Sequence, residues 1–115
     1  MEEIKVKIEA KPLSINRAWQ GRRYATKEYK DWRKEIEYLM PKKKMIVGDV
    51  DIHIDFFLIN DKRTDADNLA KPLFDSIVRK GYIEDDCHIR HLEITKHKSK
   101  KDYIEIKINK YVQKL

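Results

Sequence analysis

The chain has 115 residues, 41% of them hydrophobic and 40% charged, with one cysteine and a formal net charge of +6. That is enough for one domain with a modest core, and it excludes a collagen-like repeat, a disulfide scaffold and wholesale disorder. No apolar run approaches the roughly 18 residues of a membrane span, so the expectation is a soluble, intracellular, membrane-free protein.

No repeat, low-complexity tract or Gly/Ser linker divides the chain, and a single domain over 1–115 is expected. In Ile4-Lys5-Val6-Lys7-Ile8, apolar and charged residues alternate as in a strand with one solvated face. From Lys11 to Ala25 the pattern breaks at Pro12, Ser14, Asn16 and Gly21, which predicts a long connection of the kind that often binds ligands. Thr26 is placed to cap a helix whose apolar face carries Tyr29, Trp32, Ile36, Leu39 and Met40, closed by Pro41. Val50, Ile52, Ile54, Phe56 and Leu58 then alternate over the longest strand signal in the chain.

A second helix is predicted from about Asn68 to Lys80, with Leu69, Leu73, Ile77 and Val78 inward, Pro72 early in it, and Gly81 as the left-handed exit. Two strands follow, about Ile89–Lys96 and Tyr103–Val112, the second with Ile104, Ile106, Ile108 and Val112 on one face. The lysine-rich turn Lys96–Lys101 is expected to join them as a hairpin. The order β-α-β-α-β-β predicts an α/β or α+β fold, a small mixed sheet with two main helices packed on it.

Charge is unevenly placed. Between Asp61 and Asp86 there are seven acids against five bases, which leaves the rest of the chain with a surplus of eight positive charges. A basic body around an acidic centre suits a polyanion held against a bound cation. The centre contains Asp65-Ala66-Asp67-Asn68, Lys71 and Asp75, then Asp85-Asp86 beyond Gly81. If Asp65, Asp67 and Asp86 converge, they form an oxygen donor set suited to Mg²⁺ or Mn²⁺, with Lys71 one turn after Asp67 to contact a phosphate. The helix between them is about 20 Å long, so convergence requires a tight return. The same residues also serve as helix-capping and turn chemistry, and Lys71 and Asp75 as a surface ion pair.

Cys87, His88 and His91 do not make a zinc motif with only one thiol available, and His53 and His97 read as plain surface. The three glycines are scattered, which excludes a phosphate-cradling glycine loop and a nucleotide cofactor.

The pattern Asp65-x-Asp67-Asn68-x-x-Lys71-x-x-x-Asp75, Gly81 and Asp85-Asp86, together with Pro12-x-Ser14-x-Asn16-x-x-Trp19, resembles the RusA family of Holliday junction resolvases over about Ile4–Tyr111. The resemblance implies a Mg²⁺-dependent endonuclease, with Mn²⁺ as a substitute, that acts on four-way junction DNA as a homodimer in bacterial or phage recombination and repair. It assigns Asp65, Asp67 and Asp86 as metal ligands and, with Lys71, as catalytic residues; Asp85 is secondary. No aromatic residue stands just before Asp65, where some relatives carry one. Two-fold symmetry is a physical reason for the dimer, since a four-way junction needs two matched cuts. Asn16, Arg17, Arg22, Arg23, Lys27 and Lys71 are the expected DNA contacts, with Lys42–Lys44 and Lys96–Lys101 as further candidates for the phosphate backbone. The rival readings are a non-catalytic nucleic-acid-binding module and a nuclease acting on flaps, forks or RNA.

Overall fold

The computed structural model describes residues 2–15, 19–20, 24–62 and 64–113. Its main sheet has four strands: β1 (Glu3–Ile8), β4 (Val50–Leu58), β5 (Ile89–Lys98) and β6 (Tyr103–Lys110). Two helices, α1 (Lys27–Leu39) and α2 (Ala66–Arg79), complete the frame. Within the long connection, β2 (Trp19–Gln20) and β3 (Tyr24–Ala25) form a short antiparallel pair. The predicted order β-α-β-α-β-β of the main elements is realised as a mixed α+β fold.

Period-two patterning builds the sheet. Val50, Ile52, Ile54, Phe56 and Leu58 of β4 are buried, as are Ile4, Val6 and Ile8 of β1 and Ile104, Ile106 and Ile108 of β6. This apolar face meets Tyr29, Trp32 and Ile36 of α1 and Leu69, Leu73 and Ile77 of α2. The predicted N-cap holds: the Thr26 side chain accepts from the Tyr29 amide at 3.1 Å. Leu39, expected inward, is partly exposed at the C-terminal end of α1 while Met40 is buried.

The spatial order is β1-β6-β4-β5. This corrects the expected hairpin: β5 and β6 are consecutive in sequence but β4 lies between them, antiparallel to β6 and parallel to β5. The most apolar strand takes the most buried slot, and Lys96 and Lys98, in line with the inward residues of β5, suit that strand to an edge. Val112, predicted to share the inner face of β6, lies beyond the strand end and is 72% exposed.

Parallel pairing of β4 with β5 makes β4–α2–β5 a crossover unit, in which α2 carries the chain back from the end of β4 to the start of β5. Helix α2 begins at Ala66, two residues earlier than predicted, so Pro72 falls inside it and not in its opening turn. A proline there donates no bond to the carbonyl of Asn68. Gly81 has φ +79° and makes the predicted left-handed exit.

Candidate active site

The start of α2 is positioned from β5. Lys96 Nζ donates to the carbonyls of Asp61 at 2.6 Å and Thr64 at 2.9 Å, and Lys98 Nζ donates to that of Ile59. Asp102 Oδ1 accepts from the Ile59 amide at 2.9 Å. These two lysines, among the candidates for the phosphate backbone, clamp the turn that leads into Asp65. Beside that turn opens a cleft of about 720 Å³, lined among others by Leu13, Trp32, Leu58, Thr64 and Leu69. Trp32 is fixed there by donation from its indole to the Lys11 carbonyl at 2.8 Å.

Asp65 occupies the N-cap position of α2, yet its side chain makes no capping hydrogen bond. Asp67 follows in the first turn and Lys71 one turn later, all three exposed. None of these three side chains makes a hydrogen bond or ion pair with a described residue. The capping alternative for Asp65 and the surface pair of Lys71 with Asp75 are therefore both unrealised. The start of a helix carries a partial positive charge from its unpaired amides, so it favours carboxylates and phosphate alike.

The far end of α2 is different. Asp75 accepts from the Tyr29 hydroxyl at 2.7 Å. Burial, and then this bond, push the Tyr29 phenol up to about 12. Past Gly81, Asp85 caps a single 3₁₀ turn, Asp86–His88, by accepting from the Asp86 amide at 2.7 Å. Here the turn chemistry is realised, in Asp85. A hydrogen bond with the Asp85 carboxylate, followed by burial and by the charges of Asp85 and Asp75, raises the Asp86 carboxyl above its ordinary range. The partner effect lowers Asp85.

Asp86 thus sits in the electrostatic neighbourhood of Asp75, and Asp67 is about 12 Å up the helix axis from Asp75, eight residues away. Among the described residues, the cluster of three or more His, Cys, Asp or Glu ligand atoms within 4.8 Å of one another is Asp51, His53 and His91. Asp65, Asp67 and Asp86 do not form such a cluster within one chain. The turn that carries Asp86 returns alongside α2 as far as Asp75, about two helical turns beyond Asp67.

Of the expected DNA contacts, Lys27 and Lys71 are exposed. Asn16, Arg17, Arg22 and Arg23 lie outside the described residues. His53 and His97, expected as plain surface, are partly sheltered and paired with carboxylates, and His88 and His91 are paired likewise. His88 lies 3.1 Å from Asp49, His91 2.7 Å from Asp51 and His97 2.7 Å from Asp55, and His53 lies 2.9 Å from Glu93. Three of these pairs, Asp51–His91, Asp55–His97 and His53–Glu93, join β4 to β5 across the parallel ladder, a signal that appears only once that pairing is known.

Among curated proteins, no match is found. The family model described as endodeoxyribonuclease RusA matches residues 6–109, a stretch that takes in the second half of the first strand, both helices, the Asp65–Lys71 segment and Asp85-Asp86. On that match the chain belongs to the RusA endodeoxyribonuclease family, divalent-metal-dependent nucleases that act on four-way DNA junctions.

Proposed function

We propose that the protein is a homodimeric, Mg²⁺-dependent endonuclease that resolves four-way DNA junctions by paired symmetric nicks in bacterial or phage recombination and repair. The observation that supports this reading is the start of α2: two carboxylates and an ammonium within about one and a half turns, none of them engaged by a described residue. Surface side chains that only stabilise a helix usually find a cap or an i, i+4 partner, and these find none among the described residues.

Asp65, Asp67 and Asp86 are the metal ligands in this reading. Their chemistry fits: carboxylate oxygens suit a hard cation that retains waters and takes phosphate oxygen into its shell. When bound, the ion supplies charge neutralisation at the phosphodiester and an activated water. The residues of the chain do the rest. The start of α2 draws the scissile phosphate in, Lys71 places an ammonium against the negative charge that develops during in-line attack, and the Lys96 clamp holds the turn so that Asp65 and Asp67 keep their spacing.

Because α2 separates Asp67 from the Asp86 turn, we infer that each site takes Asp65 and Asp67 from one subunit and Asp86 from the other. A two-fold dimer then creates two equivalent sites, one for each of the two strands to be cut. The test is a cleavage map of a synthetic four-way junction by purified protein in Mg²⁺. Symmetric nicks that disappear in Asp67→Asn support the proposal; binding without cleavage, or a preference for linear duplex, flaps or RNA, refutes it.

A further inference from the structure

The crossover that parts the acidic residues of α2 brings another donor set together on the opposite, outer face of the sheet. Asp51 and His53 are alternate residues of β4, and His91 lies directly across from Asp51 on β5. Asp51 Oδ1 is 3.3 Å from His53 Nε2 and 2.7 Å from His91 Nδ1. Three ligand atoms therefore surround one point within 4.8 Å of each other.

The tautomer of His53 is also arranged. Its Nδ1 lies 2.9 Å from Glu93 Oε2, the residue opposite it on β5. Donation from Nδ1 to a carboxylate leaves the Nε2 lone pair free to face Asp51, the relay that orients metal-bound imidazoles. A neutral His53 cannot donate to Glu93 and Asp51 at once, so without a proton or a cation one of these contacts joins two acceptors.

Spacing selects the ion. Tetrahedral coordination with bonds of about 2.0–2.1 Å places neighbouring donors about 3.3 Å apart. The Asp51–His53 distance of 3.3 Å already meets this, and the Asp51–His91 contact, at 2.7 Å, needs to open by a little over half an ångström. Two imidazoles and one carboxylate are borderline donors that prefer Zn²⁺ and its neighbours over Mg²⁺. Asp51 and His53 are partly sheltered, with side-chain exposures of 28% and 33%, and His91 is more open at 48%.

We propose that Asp51, His53 and His91 form a second metal site that takes a borderline divalent cation of the Zn²⁺ class and clasps edge strand β5 to β4. Glu93 acts there as a positioning residue, behind His53. The site is separate from the Asp65–Asp67 end of α2, being on the other side of the sheet and toward the opposite end of β4. Its occupancy is independent of the nuclease reading.

The test is titration of the full, untagged chain with Co²⁺, read by the visible ligand-field band, and with Zn²⁺ by calorimetry in a large excess of Mg²⁺. One equivalent per chain is expected, with tight binding unaffected by Mg²⁺. His53→Gln and His91→Gln each abolish the band, Glu93→Gln weakens Zn²⁺ binding roughly tenfold, and His88→Gln and Asp67→Asn leave both signals intact. Circular dichroism verifies the fold of each variant, and the Glu93→Gln shift decides the matter if a histidine variant is unfolded. No saturable band, a band that survives in both folded histidine variants, unaltered Zn²⁺ affinity in Glu93→Gln, or loss of binding in Asp67→Asn overturns the proposal.

Discussion

The two ends of α2 carry similar acidic chemistry and use it differently. At the start, Asp65, Asp67 and Lys71 are exposed and unengaged by any described residue. At the far end, Asp75 accepts from Tyr29, and Asp85 closes the turn that presents Asp86. An acid that holds the fold together is constrained by its partner, whereas an unengaged one is available to a cation and a phosphate. The comparison predicts that substitutions at the two ends separate activity from stability.

The largest effect is expected at the start. Asp65→Asn and Asp67→Asn abolish junction cleavage in Mg²⁺, with stability unchanged to within about 0.5 kcal/mol because no contact is lost; a nicking assay beside thermal unfolding checks both halves. Lys71→Ala lowers the cleavage rate by roughly 10²–10³-fold, the scale of losing one charge-stabilising donor in a transition state, while junction affinity measured by gel shift falls little. Lys96→Met keeps the apolar stem but removes both bonds to the Asp61 and Thr64 carbonyls. Single-turnover cleavage by this variant falls by up to about 10²-fold through misplacement of the carboxylates.

At the far end, effects are smaller and of another kind. Tyr29→Phe removes the hydroxyl that Asp75 accepts from and costs about 1 kcal/mol in denaturant unfolding, with cleavage near wild type. The pH dependence is the finest probe. A cation needs Asp86 ionised, and its raised pKa means that ionisation, and with it activity, is lost as pH falls through that elevated value. Asp85→Asn removes the neighbouring carboxylate charge and moves the acid limb of the cleavage profile to lower pH. An unmoved limb contradicts the assignment of Asp86.

Much of the fold was legible because it is local. Alternation fixed β4, spacings of three and four residues fixed the faces of both helices, and Thr26 and Gly81 marked ends through their side chain and backbone freedom. Strand order was not legible in the same way. Only a few residues, 99–102, separate β5 from β6, a length that looks like a hairpin turn, while the competition for the slot beside β6 is decided by burial of β4. The signal was present in Lys96 and Lys98, which no central strand would turn inward without a carbonyl to meet them. The acidic motif was equally visible, but its geometry was not. A helix of about 20 Å between Asp67 and Asp86 shows the separation as soon as its direction relative to the sheet is known. The Asp–His pairs of β4 and β5 depend entirely on the parallel register, so His53 and His91 carried no signal of their own.

Mixing two inactive variants tests the central claim most directly. Asp67→Asn and Asp86→Asn chains are co-refolded, and nicking of a four-way junction is measured against each variant alone. With sites shared between subunits, a mixed dimer keeps one site with every carboxylate intact, so random pairing restores single-strand nicks at roughly a quarter of the wild-type level. Mixtures as inactive as their parents, when mixed dimers are shown to form, would contradict the shared site.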